Sequence, residues 1–370
     1  MGFFSEYKQI GRLLQRKQEL VFYAESRHYY PYFEKLVYDL RTAKKAIYYI
    51  TSDAADPLLS KSLPGMKVIY VKWLLGYLFA RLKTDVLVMT MPGLGNYLFK
   101  RSAGVGTYVY LFHAAVSTHQ QYERDAFINY DAVFCTGDYQ VDEMRKTEEL
   151  YGYLPKNLIP YGYPLLDAIE KRTRDIPVEP ALQQTILVAP SWFKGCIFDT
   201  CIEKLLQQLS KLPYKVILRS HPEYEKRKGK EFHAIKRMVE QHPNMSIDTL
   251  PNVLDRIPGC DLLVTDRSGI ALEFAFGVGK PVLFIDTAFK EMNKAWRDVA
   301  IEPLENSIRE ELGIQVLPSA LKDIPAAIKE LEGWQPGFAQ KMNQLKKTLF
   351  YNSPASYETG LEFILGKLKG

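Results

Sequence analysis

In the run KVILRSHPE, an apolar strand-like stretch delivers Arg219, Ser220 and His221 in succession before Pro222 stops it. A guanidinium is a forked donor matched to phosphate oxygens, and an imidazole donates to phosphate or exchanges a proton near neutral pH. The alternative is a surface turn with an incidental histidine, but a charged arginine at the exit of an apolar strand favours an anion site. A second stretch of the same design is LVTDRSGIALEFAF, where Thr265, Asp266, Arg267, Ser268 and Gly269 separate an apolar run from a helix-like one. Asp266 or Ser268 suits a helix N-cap. The same turn also offers backbone N–H groups and a positive dipole end to a pyrophosphate, and the two roles are compatible. Glu273, about a turn into that helix, is placed to accept from ribose hydroxyls.

Two further strand ends suit the other reactant. In YLFHAAVSTHQQYERDAF, His113 closes an apolar run and His119 follows in a polar stretch. His113 is a candidate general base for a hydroxyl nucleophile; the alternative is a half-buried structural histidine. His119 is either a substitute for it or a solvated helix residue. In VFYAESRHYYPYF, Glu25 and Ser26 leave the first strand toward an acceptor, and Tyr29, Tyr30 and Tyr32 either line its groove or pack a helix.

Other chemistries are excluded by spacing. GVGK at 277–280 has Pro281 where a phosphate-binding loop needs Ser or Thr, so it reads as a helix end with a glycine cap. PGLGNY at 92–97 lacks the third glycine of a dinucleotide fingerprint. No GxSxG or HExxH pattern occurs. No DxD triplet occurs either, which predicts a site without metal in which arginine, histidine and a helix start neutralise the leaving group. Cys135, Cys196, Cys201 and Cys260 have no metal-binding spacing and read as reduced core thiols.

The elements that must present these residues are short apolar runs alternating with amphipathic segments. Strands are predicted at 20–25, 46–51, 67–72, 85–91, 107–113, 132–137 and 157–164, with helices at 29–44, 73–83, 117–129 and 138–151. After the polar stretch KRTRDIPVEPALQQ, strands resume at 185–191, 215–222, 245–250, 261–266 and 281–286. Runs rich in Val, Ile and Tyr with polar C-terminal ends indicate parallel sheets covered on both faces. We therefore expect an α/β protein of two Rossmann-like doubly wound domains facing a cleft. The expected divisions are an acceptor-side domain over 1–168, a linker over 169–184 and a nucleotide-donor domain over 185–335. Helices over 336–370 could cross back to the first domain. A length of 370 residues fits two cores, and 47% hydrophobic with 25% charged residues is ordinary for a globular enzyme. A net charge of +5 suits an anionic ligand or membrane surface and is too weak to indicate nucleic acid.

No signal peptide is visible, Glu6 stands where a myristoylation signal needs Ser or Thr, and no apolar run is long enough to span a bilayer. The chain is expected to be cytoplasmic or peripheral. Two segments invite a membrane reading. FFSEYKQIGRLLQRK at 3–17 mixes apolar and basic residues at helical spacing, and KWLLGYLFARLK at 72–83 is apolar with basic ends. Each is alternatively a helix packed on or within the first domain.

The ordered set IPYGYPLLD, VAPSWFKG, LRSHPE, LVTDRSGIALEFAF and KPVLFID resembles the CDP-glycerol glycerophosphotransferase family of teichoic-acid synthesis over roughly residues 105–290. The resemblance implies a GT-B-like fold, peripheral attachment to the inner membrane face, and transfer of a polyol phosphate from a CDP-activated donor to a lipid-linked acceptor. It implies that Arg219 and His221 contact the donor pyrophosphate or phosphoryl group and that Asp266, Ser268 and Gly269 line the same pocket; Ser220, Arg267 and Glu273 join the donor side on the reading of the strand ends above. Trp192 and Lys194 would flank the nucleotide, and His113 would be the acceptor-side base. Here Ala114 follows His113 where the family has glycine, and AVSTHQQYERD replaces the family's usual downstream run. No cofactor is expected beyond the substrate, CDP-glycerol or a related CDP-polyol. The competing readings are a GT-B glycosyltransferase using a nucleotide sugar, a sugar-nucleotide epimerase, and a non-catalytic module of a surface-polymer assembly.

Overall fold

The structure, a computed structural model, describes residues 3–96, 99–176, 183–250 and 252–368. The chain divides into two compact units: Met1–Pro164 with Met292–Ile301 and Leu349–Gly370, and Leu165–Glu291 with Glu302–Thr348.

Unit one is built on seven parallel strands: β1 Gln18–Ala24, β2 Ile47–Thr51, β3 Met66–Tyr70, β4 Thr84–Met89, β5 Val105–Leu111, β6 Ala132–Cys135 and β7 Asn157–Pro160. They lie in the order β3-β2-β1-β4-β5-β6-β7. The central strands are apolar along their length because a parallel sheet with helices on its faces leaves neither side wet. Phe22, Val86, Val88 and Phe134 from the sheet pack with Phe33, Leu36 and Val37 of the helix Tyr30–Thr42. Tyr357 and Ile364 of the helix Pro354–Lys367 join the same core. Gly360 permits that packing, since a Cβ there would stand 2.2 Å from the Tyr161 ring.

Unit two holds six parallel strands: β8 Thr185–Val188, β9 Lys215–Leu218, β10 Met245–Ile247, β11 Leu262–Thr265, β12 Val282–Ile285 and β13 Gly313–Val316. Their order is β10-β9-β8-β11-β12-β13. Ile186, Val188, Val216, Leu218, Val264 and Leu283 meet Leu205, Leu206 and Leu209 of the helix Ile202–Leu209 in a separate core. Because every pairing is parallel, the C-terminal ends of the strands open on one edge in each unit, and loops there carry the polar residues.

Twelve strands stand where the alternation predicts them. The thirteenth, β13, was not expected, and it exists because Gly313 can come close to its neighbour. A Cβ on Gly313 would lie 1.6 Å from the carbonyl oxygen of Val282. The helix expected over 117–129 is only Thr118–Gln121. Of the linker expected over 169–184, residues up to Asp175 are helical, in Pro164–Asp175, and residues 177–182 lie outside the described residues. Tyr97 of the PGLGNY loop also lies outside them. All four cysteines are unpaired and buried. Burial pushes the Cys196 and Cys260 thiols up to about 11 and about 12, so they are unreactive core residues. Among the described residues no helix is long and apolar enough to cross a membrane.

Candidate functional site

In unit two, three adjacent strand ends converge: those of β9, β8 and β11. Asp266, fully buried one residue past β11, organises them. Its Oδ1 accepts from the Ser191 N–H at 2.8 Å and the Arg267 N–H at 2.8 Å, and its Oδ2 accepts from the Ile197 N–H at 3.0 Å. Burial pushes this carboxyl up against the pull of the three amides. Lys290, half-buried nearby, has its ammonium pushed down by burial while Asp266 and Glu305 oppose that shift. Both oxygens of Asp266 are thereby engaged in shaping the loop 189–197, which carries Trp192 and Lys194. That is a scaffolding role rather than the pocket-lining one expected from the sequence.

Trp192 lies against His221, ring centroids 5.9 Å apart, and the Arg227 guanidinium covers the same indole at 5.1 Å. Lys194 is exposed. His221 caps the helix Pro222–Arg227, with its Nδ1 accepting from the Glu223 N–H at 3.2 Å. A neutral imidazole held this way carries its proton on Nε2 and is a donor there, the tautomer assigned from that hydrogen bond. Ser220 is buried, its hydroxyl on the His221 carbonyl at 3.2 Å. Arg219 reaches Asp248 Oδ2 at 2.5 Å and the Leu250 carbonyl at 2.9 Å. Burial alone would raise the Asp248 carboxyl. Arg219 and Arg256 outweigh that and hold it below the usual range. Two guanidiniums on one carboxylate leave this strand end net positive.

The helix after β11 has Gly269 at its N-cap, so neither Asp266 nor Ser268 is the capping side chain. The Ser268 hydroxyl makes no hydrogen bond among the described residues and stands half-buried at the helix start. Glu273 is buried, at 7% exposure, in the first turn. The helix widens into a π-turn over Phe274–Val278 and ends at Gly279 with φ 76°, the glycine cap expected at GVGK. Arg267 turns to Asp286 at the end of β12, 2.5 Å away, and lies over the Phe289 ring. Arg309, which sequence reasoning missed, is buried beside them. It donates to the Asp266 carbonyl at 3.2 Å and sits 3.6 Å from Asp286. Burial, then Arg267, pushes its guanidinium down to about 10. The partners are 43 and 23 residues away in the chain, so no local signal announces the network.

In unit one, β1, β4 and β5 are neighbours, and their ends bring Glu25, Ser26, Thr90 and His113 to one region of the edge. His113 Nδ1 faces the Thr90 carbonyl oxygen at 3.0 Å. A carbonyl only accepts, so Nδ1 carries the proton and the neutral ring has its lone pair on Nε2, as a base requires. Tyr29 and Tyr32 meet the His113 ring edge-on at 5.3 and 6.2 Å, whereas Tyr30 packs on Tyr49. Glu25 is exposed, and Ser26 stands at the N-cap position of the turn Arg27–Tyr29 without a side-chain cap hydrogen bond. Arg27 clamps Asp53 from the end of β2 at 2.6 and 2.9 Å and holds its carboxyl at about 2. His119 does not share this environment. It is 3% exposed, with Nε2 on the Ile301 carbonyl at 2.9 Å and Nδ1 3.4 Å from Glu143. Glu143 in turn is bonded by the Thr118 backbone and hydroxyl. His119 is thus part of a buried latch, contrary to an acceptor-side or solvated role.

Two doubly wound parallel units with basic and imidazole groups at their strand ends have the GT-B fold. The same architecture occurs in the wall teichoic acid polymerase TagF, with a TM-score of 0.59 at 14% identity over 96% of this chain and 91% of that one. It occurs also in UDP-GlcNAc 2-epimerase from Neisseria meningitidis, TM-score 0.61 at 14% identity over 95% and 100% of the two chains. A glycosyltransferase from Rickettsia africae ESF-5 gives 0.58 at 10% identity over 96% and 100%. No curated protein matches the chain in sequence. The family model of CDP-glycerol:poly(glycerophosphate) glycerophosphotransferases matches residues 113–308, more than half of the chain, and the protein belongs to that family.

Proposed function

We propose that the protein transfers a polyol phosphate, glycerol phosphate in the first instance, from a CDP-activated donor to a hydroxyl of a lipid-linked or polymeric surface-glycan acceptor. It acts without a metal, at the cytoplasmic face of the membrane. His113 takes the acceptor proton, the acceptor oxygen bonds to the β-phosphorus of the donor, and the bond to the bridging oxygen breaks to release CMP. His221, donating through Nε2, Arg219 and the helix start at Ser268 balance the charge on the departing phosphate.

The observation that carries this reading is the pairing of tautomers on a chain of this family. His113 is held through Nδ1–H, which assigns the lone pair of its neutral ring to Nε2, whereas His221 is held through its Nδ1 lone pair, which assigns its proton to Nε2. A base for the attacking hydroxyl and a donor to the departing phosphate are two roles that assist phosphoryl transfer, and the two imidazole tautomers suit them. That TagF has been solved after a soak with CDPG supports the choice of donor.

CMP release from CDP-glycerol in the presence of acceptor is the test. His221→Ala should reduce it by about 100-fold or more, and EDTA should leave the wild-type rate unchanged. Unchanged turnover in the variant removes the proposed site. Release of UDP from a UDP-sugar instead of CMP would assign a glycosyltransferase.

A further inference from the structure

Arginine is almost never buried without a paired carboxylate, yet the Arg309 side chain is only 6% exposed and has no carboxylate within hydrogen-bond distance among the described residues. It leaves the helix Arg309–Leu312, just before β13, and reaches across to the ends of β12 and β11. Its Nε donates to the Gln315 side chain at 3.0 Å and its Nη1 to the Asp266 carbonyl at 3.2 Å. The buried Nη2 stands 3.6 Å from Asp286 Oδ1 and has no hydrogen-bond partner among the described residues. The Phe284 ring lies against the guanidinium at 4.1 Å.

Asp286 Oδ1 is therefore shared. Arg267 takes it at 2.5 Å and keeps 15% of its side chain in solvent, whereas Arg309 stands behind it and is sealed. One carboxylate cannot neutralise two guanidiniums, so the trio keeps a surplus positive charge. The other carboxylate nearby, Asp266, spends both oxygens on three backbone amides and has Lys290 to oppose its charge. Asp266 meets Arg309 through its carbonyl instead. The planar peptide from Asp266 to Arg267 is thus held at both ends, its carbonyl by Arg309 and its N–H by the Asp266 carboxylate.

We propose that Arg309 is a positioning residue for the donor side, one that fixes the turn Asp266–Gly269 and keeps Asp286 from neutralising Arg267, so that Arg267 attracts an anionic donor. Arg309 itself does not touch the substrate. The proposal rests on the reading above that unit two receives a CDP-activated donor. Calorimetric titration of the full chain with CDP-glycerol tests it. Arg309→Met should weaken binding about tenfold or more, and in turnover it should raise the donor KM more than it lowers kcat. Arg309→Lys keeps the charge and should recover part of the loss. Asp286→Asn added to Arg309→Met restores the charge balance, so the double variant should bind more tightly than Arg309→Met alone, where a merely structural role predicts weaker binding still. Gln315 is exposed, so Gln315→Glu should keep the wild-type melting temperature. Its new carboxylate beside Arg309 should weaken binding severalfold, and less so as salt rises. This variant decides the matter if Arg309→Met does not fold. Arg309→Met or Gln315→Glu that binds as wild type does, or a double variant weaker than Arg309→Met, overturns the proposal. Wild type that fails to bind CDP-glycerol removes the donor reading itself, and the positioning role with it, which is a different signature from wild-type binding that the variants leave unchanged.

Discussion

His113 and His221 have the same ring, and the backbone atom each Nδ1 meets decides what it can do. A carbonyl at Thr90 leaves the lone pair of the neutral ring on Nε2 in one, and an N–H at Glu223 leaves the proton on Nε2 in the other. That both residues sit at strand ends was legible in the sequence, from apolar runs stopped by Pro222 or a polar stretch. Their tautomers were not, since Thr90 lies 23 residues from His113 and on a different strand. The same limit hid Asp53, which the alternation places at a strand end without showing that Arg27 clamps it. Because the pair holds the Asp53 carboxyl at about 2, below the unfolded value near 3.9, it stabilises the fold above about pH 4. That stability is lost as the pH falls through about 2. Asp53→Asn should therefore cost about 1 kcal/mol at pH 7. In urea titrations repeated at falling pH, the gap from wild type should close between about pH 4 and pH 2.

Among the elements, the loop 189–197 shows how one side chain outside a segment determines it. Two backbone N–H groups of this loop, those of Ser191 and Ile197, converge with that of Arg267 on Asp266 and help shape the chain between β8 and the helix Ile197–Thr200 that holds Trp192 against His221. Asp266→Asn replaces one acceptor oxygen by an NH2 facing an N–H. It should cost about 2–3 kcal/mol and weaken CDP-glycerol binding, measured by urea denaturation and by titration calorimetry. Binding at wild-type strength would show that the loop holds its shape by other means. Strand β13 makes the complementary point. GIQV carries little strand signal, yet it pairs along β12 because Gly313 lets two backbones approach where any Cβ would collide. The helix Thr118–Gln121 stops short of the helix-compatible pattern, which continues in the residues after 121 while Tyr122 is already extended.

For the whole molecule, two units with separate cores give a way to see which one receives the donor. CDP-glycerol at about 100 times its Kd should stabilise the unit that binds it by about 2.7 kcal/mol. Hydrogen exchange should then show protection at 189–197, 219–223 and 266–273 in unit two. Protection confined to unit one would reverse the assignment of donor and acceptor sides. The sequence by itself determined the class: alternating apolar and amphipathic segments demand parallel α/β sheets, and parallel sheets put the polar residues at the strand ends together at one edge. It also carried the family, through motifs that each follow a strand. Tertiary structure decided which partners those residues meet. Asp266 accepts from backbone amides, Arg267 pairs with Asp286, and His119 lies against the buried Glu143. The reason is physical: a local run of residues sets which way the chain goes and how polar it is, whereas hydrogen-bond partners come from strands dozens of residues away and exist only once the sheets have formed.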